Sequence, residues 1–191
     1  CSMPAYKRSM GRHRSRPDPK SVAEVATSIR QSKQPIIICG SGAVSSEAGP
    51  NITGLAEKIG AALYTTPGGR GTYAEDHPLC LGQIGLYFTE AGKTYFDQSD
   101  LVISVGSRLE DFSTGGWTLW PAKAKFVQID IDPQAIGLNF PPDIALVGDA
   151  ELATGDLLAA IDERLVGSAA GRAVAIEKLQ SRYVRKIERQ V

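Results

Sequence analysis

The sequence predicts an α/β protein, a Rossmann-like open parallel sheet of about six strands with helices on both faces. Three observations lead there. Short apolar runs such as Ile36-Ile37-Ile38-Cys39 and Leu101-Val102-Ile103-Ser104-Val105 have the continuous apolarity of strands buried on both faces. Segments of helical period separate them. Glycines and carboxylates stand directly after the runs, where an open parallel sheet collects its ligand-binding loops.

The elements follow in order. Asp18-Pro19 reads as a helix start, with Asp at the N-cap and Pro at the first helical position. Val22, Val25, Ala26 and Ile29 then recur at helical spacing. Pro35 introduces the first strand, 36–39, and Gly40-Ser41-Gly42 follows at once. Ser45 or Ser46 is placed to cap a second helix with Ile52, Leu55, Ala56 and Ile59 inward and Gly60 at its end. The next strand covers 62–65 and leads into the loop 66–71. A helix is expected over 90–97, and strands over 101–105, 126–131 and 144–147. A sixth strand is expected near Ala43 or within 79–84. A helix then runs over 150–165 with Leu152, Leu158, Ile161 and Leu165 inward. Residues 167–171 read as a linker. Ile176, Leu179, Tyr183 and Ile187 share one face of a last helix, which needs a partner surface because a lone short helix is marginal in water. The organisation expected is a connecting segment over 1–17, the central domain over 18–166, and a linker with a helix over 167–191.

A chain of 191 residues, 42% hydrophobic and 22% charged, suits one globular domain that buries a core without staples. No apolar run approaches the roughly 20 residues of a membrane span, and the basic start has no apolar stretch behind it, so it is not a secretory signal. The chain opens on Cys1 and stops abruptly at Val191, which reads as a piece of something longer. Cys1, Cys39 and Cys80 form no close pair and read as free thiols of a cytoplasmic protein rather than a disulfide framework or zinc motif. Residues 1–20 sum to +5 and residues 172–191 to +4, which leaves −9 for the middle. An acidic body with basic ends is no nucleic-acid surface, and the ends read as solvated connecting segments.

The chemistry sits at the ends of the strands. Glycine lets a backbone approach a phosphate, and helix N-termini present N–H groups to it. Asp130 or Asp132 can accept the hydroxyl protons of a ribose, and Arg108 can pair with a pyrophosphate. Each signal has a bland counterpart. Gly40-Ser41-Gly42 follows the G-x-G-x-x-G pattern only loosely and also suits a tight strand-to-helix turn. Asp132-Pro133 also suits a helix cap, and Arg108 a surface pair with Glu110 or Asp111. No catalytic device is visible: His13 and His77 stand beside no evident nucleophile, and neither a phosphate-binding Walker loop nor a metal-ligand spacing is present.

The ordered segments RPDPKSVAEVA, QPIIICGSGAVSS, TTPGGRGTYAEDHPLCLGQIG, SDLVISVGSRLEDFSTG, FVQIDIDPQAIGLN and IALVGDA, spanning about residues 16 to 162, are fairly specific in combination. Together they resemble the central domain of thiamine-diphosphate (ThDP) enzymes of the acetolactate synthase, glyoxylate carboligase and oxalyl-CoA decarboxylase type. The resemblance implies a parent chain of three Rossmann-like domains, a lyase or transferase acting on a 2-keto acid as a homodimer or homotetramer. ThDP and Mg²⁺ would lie outside this domain, which lacks the activating Glu and the GDG-to-NN metal motif of its neighbours and would be inactive alone. Within this domain the resemblance implies FAD, ADP or an empty site. Gly40, Ser41 and Gly42 would lie against the adenosine diphosphate, and Thr66, Pro67 and Gly68 toward the flavin. Ile84, Gly85 and Leu86 would line the cofactor, and Gly106, Ser107 and Arg108 would meet the diphosphate and ribityl region. Asp130 and Ile131, with Gly148, Asp149 and Ala150, would surround the adenosine. FAD-binding relatives tend to carry Arg where Phe112 stands, and Glu and Lys where Ala135 and Leu138 stand, so the charge partners of a dinucleotide are depleted here.

Two other readings remain at this point. One is a free-standing adenine-dinucleotide module, or an NAD-consuming enzyme of the sirtuin-like type, though the zinc-binding cysteines and the catalytic His of the latter are missing. The other is a purely structural oligomerisation domain.

Overall fold

The computed structural model describes residues 14–161 and 169–188, with side chains of the last helix up to Ser181. Its sheet contains β1 (Pro35–Cys39), β2 (Ala62–Thr65), β3 (Cys80–Gln83), β4 (Leu101–Val105), β5 (Lys125–Asp130) and β6 (Ile144–Val147). Every pairing is parallel, and the order is β3-β2-β1-β4-β5-β6. This is the strand order of the doubly wound nucleotide-binding folds. The connections reverse direction between β1 and β4, and a crevice opens beyond their carboxyl ends. The sixth strand lies within 79–84, where the sequence placed one of its two alternatives.

The register places Ile37, Leu63, Ile103 and Val127 side by side, and Ile38, Tyr64, Ser104 and Gln128 in the next row. Neighbouring residues of a strand point to opposite faces, so these rows mark the two faces of the sheet. On the first, α1 (Pro19–Gln31), α3 (Gly49–Ile59) and α6 (Ala150–Ala160) pack against β6, β1 and β5 and against each other. On the second, α4 (Glu90–Asp97) joins an aromatic file that replaces a second large helix. Tyr64 meets Phe96 edge-on at 5.8 Å, Phe96 meets Trp120 at 6.2 Å, and Trp120 stacks on Phe140 at 4.4 Å. Such ring pairs add to the area they bury. The Tyr64 hydroxyl donates to Gly92 O at 2.7 Å and fixes α4 on the sheet, and burial pushes its pKa well up.

Local sequence explains most boundaries. Asp18 caps α1 by accepting from Ser21 N–H, and Pro19 occupies its first turn. Gly60 ends α3 at a left-handed φ of 62°. Three departures from the sequence reading are instructive. Neither Ser45 nor Ser46 caps the second helix. Instead α2 (Ser41–Ser45) begins right after β1 because Gly42 N–H is held by Gly106 O, and Glu47, at φ 61°, redirects the chain into α3. On α6 the buried face is Ala150, Ala153, Thr154 and Leu157, while Leu152 and Leu158 are half-buried. The small residues face inward because α6 is wedged between α1 and α3. Ile161 is buried as expected, and Leu165 lies outside the described residues.

The last helix, α7 (Ala169–Glu188), takes in residues 169–171, which the sequence reading gave to a linker. Its partner surface is the domain itself, because it touches α3, α4 and β3 and buries Ile176. Arg172 donates to Ile59 O at 2.5 Å, satisfying a carbonyl at the end of α3.

Asp100 organises the amino ends of the strands. Its carboxylate accepts from Ser32 Oγ at 2.5 Å, Lys33 N at 2.8 Å and Gln34 N at 3.0 Å, and its own N–H donates to Gln34 O. Partial burial pushes its pKa up, but the hydrogen bonds from Ser32, Lys33 and Gln34 outweigh this and hold the carboxyl below its ordinary value. A depressed carboxyl stabilises the fold fully above its unfolded pKa and loses that contribution as pH falls through the folded one. Asp100→Ala is therefore expected to cost about 1 kcal/mol at neutral pH in urea denaturation. The gap to the parent protein should narrow below about pH 4. A gap that widens with acid contradicts this account.

Candidate functional site at the topological switch point

The crevice between β1 and β4 is built by two loops in direct backbone contact. Gly40 N donates to Val105 O at 2.9 Å, Gly42 N to Gly106 O at 3.0 Å, and Gly106 N to Ile129 O at 2.8 Å. A β-carbon on Gly40 would strike the Gly106 carbonyl, and one on Gly42 would lie 2.8 Å from Gly106 Cα. Gly106 has φ 61°, and a β-carbon there would lie 2.6 Å from Ala43 N. The packing of the two loops thus already accounts for these glycines, before any ligand is considered.

Above this contact lies a cleft of about 610 Å³. It is lined by Ser41, Gly42, Thr66, Pro67, Gly68, Gly106, Ser107, Arg108, Asp130 and Ile131, all expected from the sequence. Tyr87, Glu110, Phe112, Ser113 and Asp132 complete the wall. Gly40 is buried beneath the floor. Ile84 and Gly85 are also buried, with Gly85 against the backbone of Phe112 and Ser113, while Leu86 is exposed and its neighbour Tyr87 faces the cleft. Gly148, Asp149 and Ala150 are not part of this cleft. Asp149 and Ala150 line an adjoining hollow of about 200 Å³ that shares Gly42, Gly106, Asp130 and Ile131 with it. Gly148 packs against Pro17.

Several polar groups are already engaged. Asp149 caps α6, accepting from Glu151 N and Leu152 N. Asp130 Oδ1 accepts from Asp132 N at 3.0 Å, and Asp132 accepts from Gln134 N in a turn rather than a helix. Arg108 faces Asp132 at 3.7 Å, not Glu110 or Asp111, because its loop runs alongside the end of β5.

Besides Tyr87 and Ser113, two contributors escaped the sequence reading. Gln128, buried on β5, donates to Ala135 O at 3.0 Å and accepts from Gly137 N at 2.9 Å, tying down the loop after β5. Its signal was a lone amide inside an apolar strand. Arg14 lines the smaller hollow and pairs with Glu151 at 2.7 Å, while Ser15 O accepts from Asp149 N. Nothing in the local sequence marked the segment 14–17 as lying across the end of β6. Among the described residues no group of three or more metal-ligating side chains comes together. Cys39 and Cys80 are buried free thiols, with burial pushing the pKa of each up.

The site suits an adenine nucleotide in shape and donor type. It has close-approaching backbone at the switch point, a carboxylate at a strand end and an arginine on either side. In charge the fit is poorer, since Arg108 and Arg14 both share their positive charge with carboxylates.

A parallel sheet of this order with a crevice at its switch point belongs to the doubly wound, Rossmann-like α/β class. Residues 22–159 match the family model described as thiamine pyrophosphate enzyme, central domain, and the chain belongs to that family. It is 37% identical over 159 residues to a Methanocaldococcus jannaschii protein described as an acetolactate synthase large subunit, covering 83% of this chain and 26% of that one. It is 32% identical over 157 residues to the acetolactate synthase of Mycobacterium bovis, covering 82% and 25%. The chain thus spans about a quarter of the length of the curated relatives it matches. Among solved structures it resembles a Mycobacterium smegmatis protein described as thiamin diphosphate-dependent, with a TM-score of 0.68 and 30% identity over 84% of this chain and 31% of that chain. Among the described residues no helix is long and apolar enough to cross a membrane.

The loop contact predicts a contrast between two glycines. Gly40→Ala should lose about 3 kcal/mol or fail to fold. Gly68→Ala, whose new carbon meets only Ser41, nearest at its Cβ at 3.3 Å, should lose less than about 1 kcal/mol in the same denaturation series. Equal losses would show that the switch-point contact is not the tight one described.

Proposed function

We propose that this chain is the nucleotide-cradling central domain of a larger ThDP-dependent enzyme, a decarboxylase or carboligase of 2-keto acids resembling acetolactate synthase. The observation that carries the reading is the switch-point cleft in a chain that matches a quarter of such enzymes. Residues 18–166 form the domain, and the segments 1–17 and 167–191 connect it to its neighbours. ThDP and Mg²⁺ bind in those other domains, where the cofactor carries the carbanion chemistry. The parent assembles as a homodimer or homotetramer in the cytoplasm. This domain supplies packing and a nucleotide site and does not catalyse alone.

Within the site, FAD or ADP places its diphosphate at the backbone of Gly40–Gly42 and Gly106 with Arg108 beside it. Asp130 takes the ribose, and Arg14 closes the adenosine side. Phe112 presents a ring, 61% exposed, to the place where a charge partner for the flavin nucleotide is wanted. Affinity should therefore be modest, with Kd about 10–100 μM. In isothermal titration with FAD and with ADP, Arg108→Ala should weaken binding about tenfold and Phe112→Arg should tighten it about tenfold. Flat titrations for both nucleotides, with Phe112→Arg included, leave the domain a structural one.

A further inference from the structure

A second hollow lies at the other side of the molecule, along β3 at the edge of the sheet. Its volume is about 290 Å³, and its wall includes all four residues of β3 together with Tyr73 and, from α7, Gln180. Only Tyr87 lines both this hollow and the switch-point cleft. The proposed nucleotide site makes no use of it.

Its chemistry is distinct. The one charged side chain on its wall, Glu75, is held by Arg70 through two hydrogen bonds of 2.8 and 3.1 Å, and that pairing lowers the carboxyl's pKa. The wall therefore offers no uncompensated charge to an ionic ligand. The Tyr73 and Tyr87 rings, Leu81 and Ala91 give it apolar surface, and the Thr65 hydroxyl and the Gln83 and Gln180 amides add a few polar groups. Gln180 Nε2 is already committed to His77 O at 3.0 Å, and Thr89 Oγ1 accepts from Gly92 N at 2.9 Å. An apolar hollow with few polar groups and no net charge selects uncharged molecules, and 290 Å³ lies at the small end of ligand pockets.

The packing here also has a defect that a ligand can repair. Tyr73 is 9% exposed, and among the described residues its buried hydroxyl has no oxygen or nitrogen partner. The polar group beside it is the Cys80 thiol, a weaker partner than an oxygen. Nearly all buried hydroxyls in folded proteins are paired, and phenylalanine would fill the same space without the cost. Tyr73 and Cys80 both line the hollow, and a turn of the single Cys80 side-chain torsion is the movement that a ligand contact to the hydroxyl would require.

We propose that this hollow is a binding site for an uncharged, single-ring compound bearing a carbonyl or hydroxyl oxygen, which accepts from the Tyr73 hydroxyl. The ring lies between Leu81 and Tyr87, along the sheet edge. The site shares only Tyr87 with the switch-point cleft, and FAD or ADP does not compete for it.

Benzamide and benzoate serve as matched probes, because they share a ring and differ in charge. In ¹H–¹⁵N NMR titrations, benzamide should shift the amides of Cys80, Leu81, Gly82 and Gln83 and saturate, with benzoate at least tenfold weaker. Ala91→Leu, which fills the hollow from α4, should abolish the benzamide shifts. Tyr73→Phe should weaken benzamide at least fivefold while raising the melting temperature of the free protein, since it removes the unpaired hydroxyl. The two variants are independent, so failure of one to fold leaves the other decisive. No saturable shift along β3, equal binding of benzoate, or unchanged affinity in Tyr73→Phe overturns the proposal.

Discussion

Everything at the carboxyl edge of the sheet depends on one contact, the meeting of the Gly40–Gly42 and Gly106 backbones with no side chain between them. Close-packed interiors leave no slack at such a place, so a single added carbon must displace a peptide unit rather than a flexible side chain. The contact fixes where α2 begins, which in turn forces the left-handed turn at Glu47 and sets the start of α3. It also sets the floor of the cleft. The glycines are thus accounted for by folding, and their presence alone is weak evidence for a ligand. What distinguishes a working nucleotide site is the charge placed around that floor, and here it is sparse.

The sheet was legible in the sequence because strands buried on both faces are continuous apolar runs, as β1 and β4 are. The helix starting at Pro19 was legible because Asp18-Pro19 encodes both cap and first turn. α6 was misread for a physical reason. A helix wedged between two others buries its small residues, so the largest side chains are a poor guide to its inward face. The break between α2 and α3 was not legible either, because it is imposed by a residue sixty positions away.

The candidate site divides in the same way. Residues on loops that directly follow strands, such as Thr66 to Gly68 and Gly106 to Arg108, fell where strand topology placed them. Asp149 follows a strand as well, but its carboxylate is engaged at the start of α6. Gln128 acts from beneath the loop after β5 on residues seven and nine positions on, and Arg14 acts from a segment more than a hundred residues away from Asp149. No local pattern in the sequence encodes such a meeting.

The path of the chain has a mechanical consequence. The segment 14–17 lies on the carboxyl end of β6, at one edge of the sheet, and α7 lies against β3 at the other. Five interstrand spacings separate those edges, about 24 Å of hydrogen-bonded and closely packed structure. The domain is therefore a stiff spacer between whatever adjoins its two ends. A force applied at the entry segment acts directly on the wall of the small hollow at Asp149, while one applied to α7 is borne by the opposite edge. The two ends are joined through α3, which packs on α6 on one side and on α7 on the other.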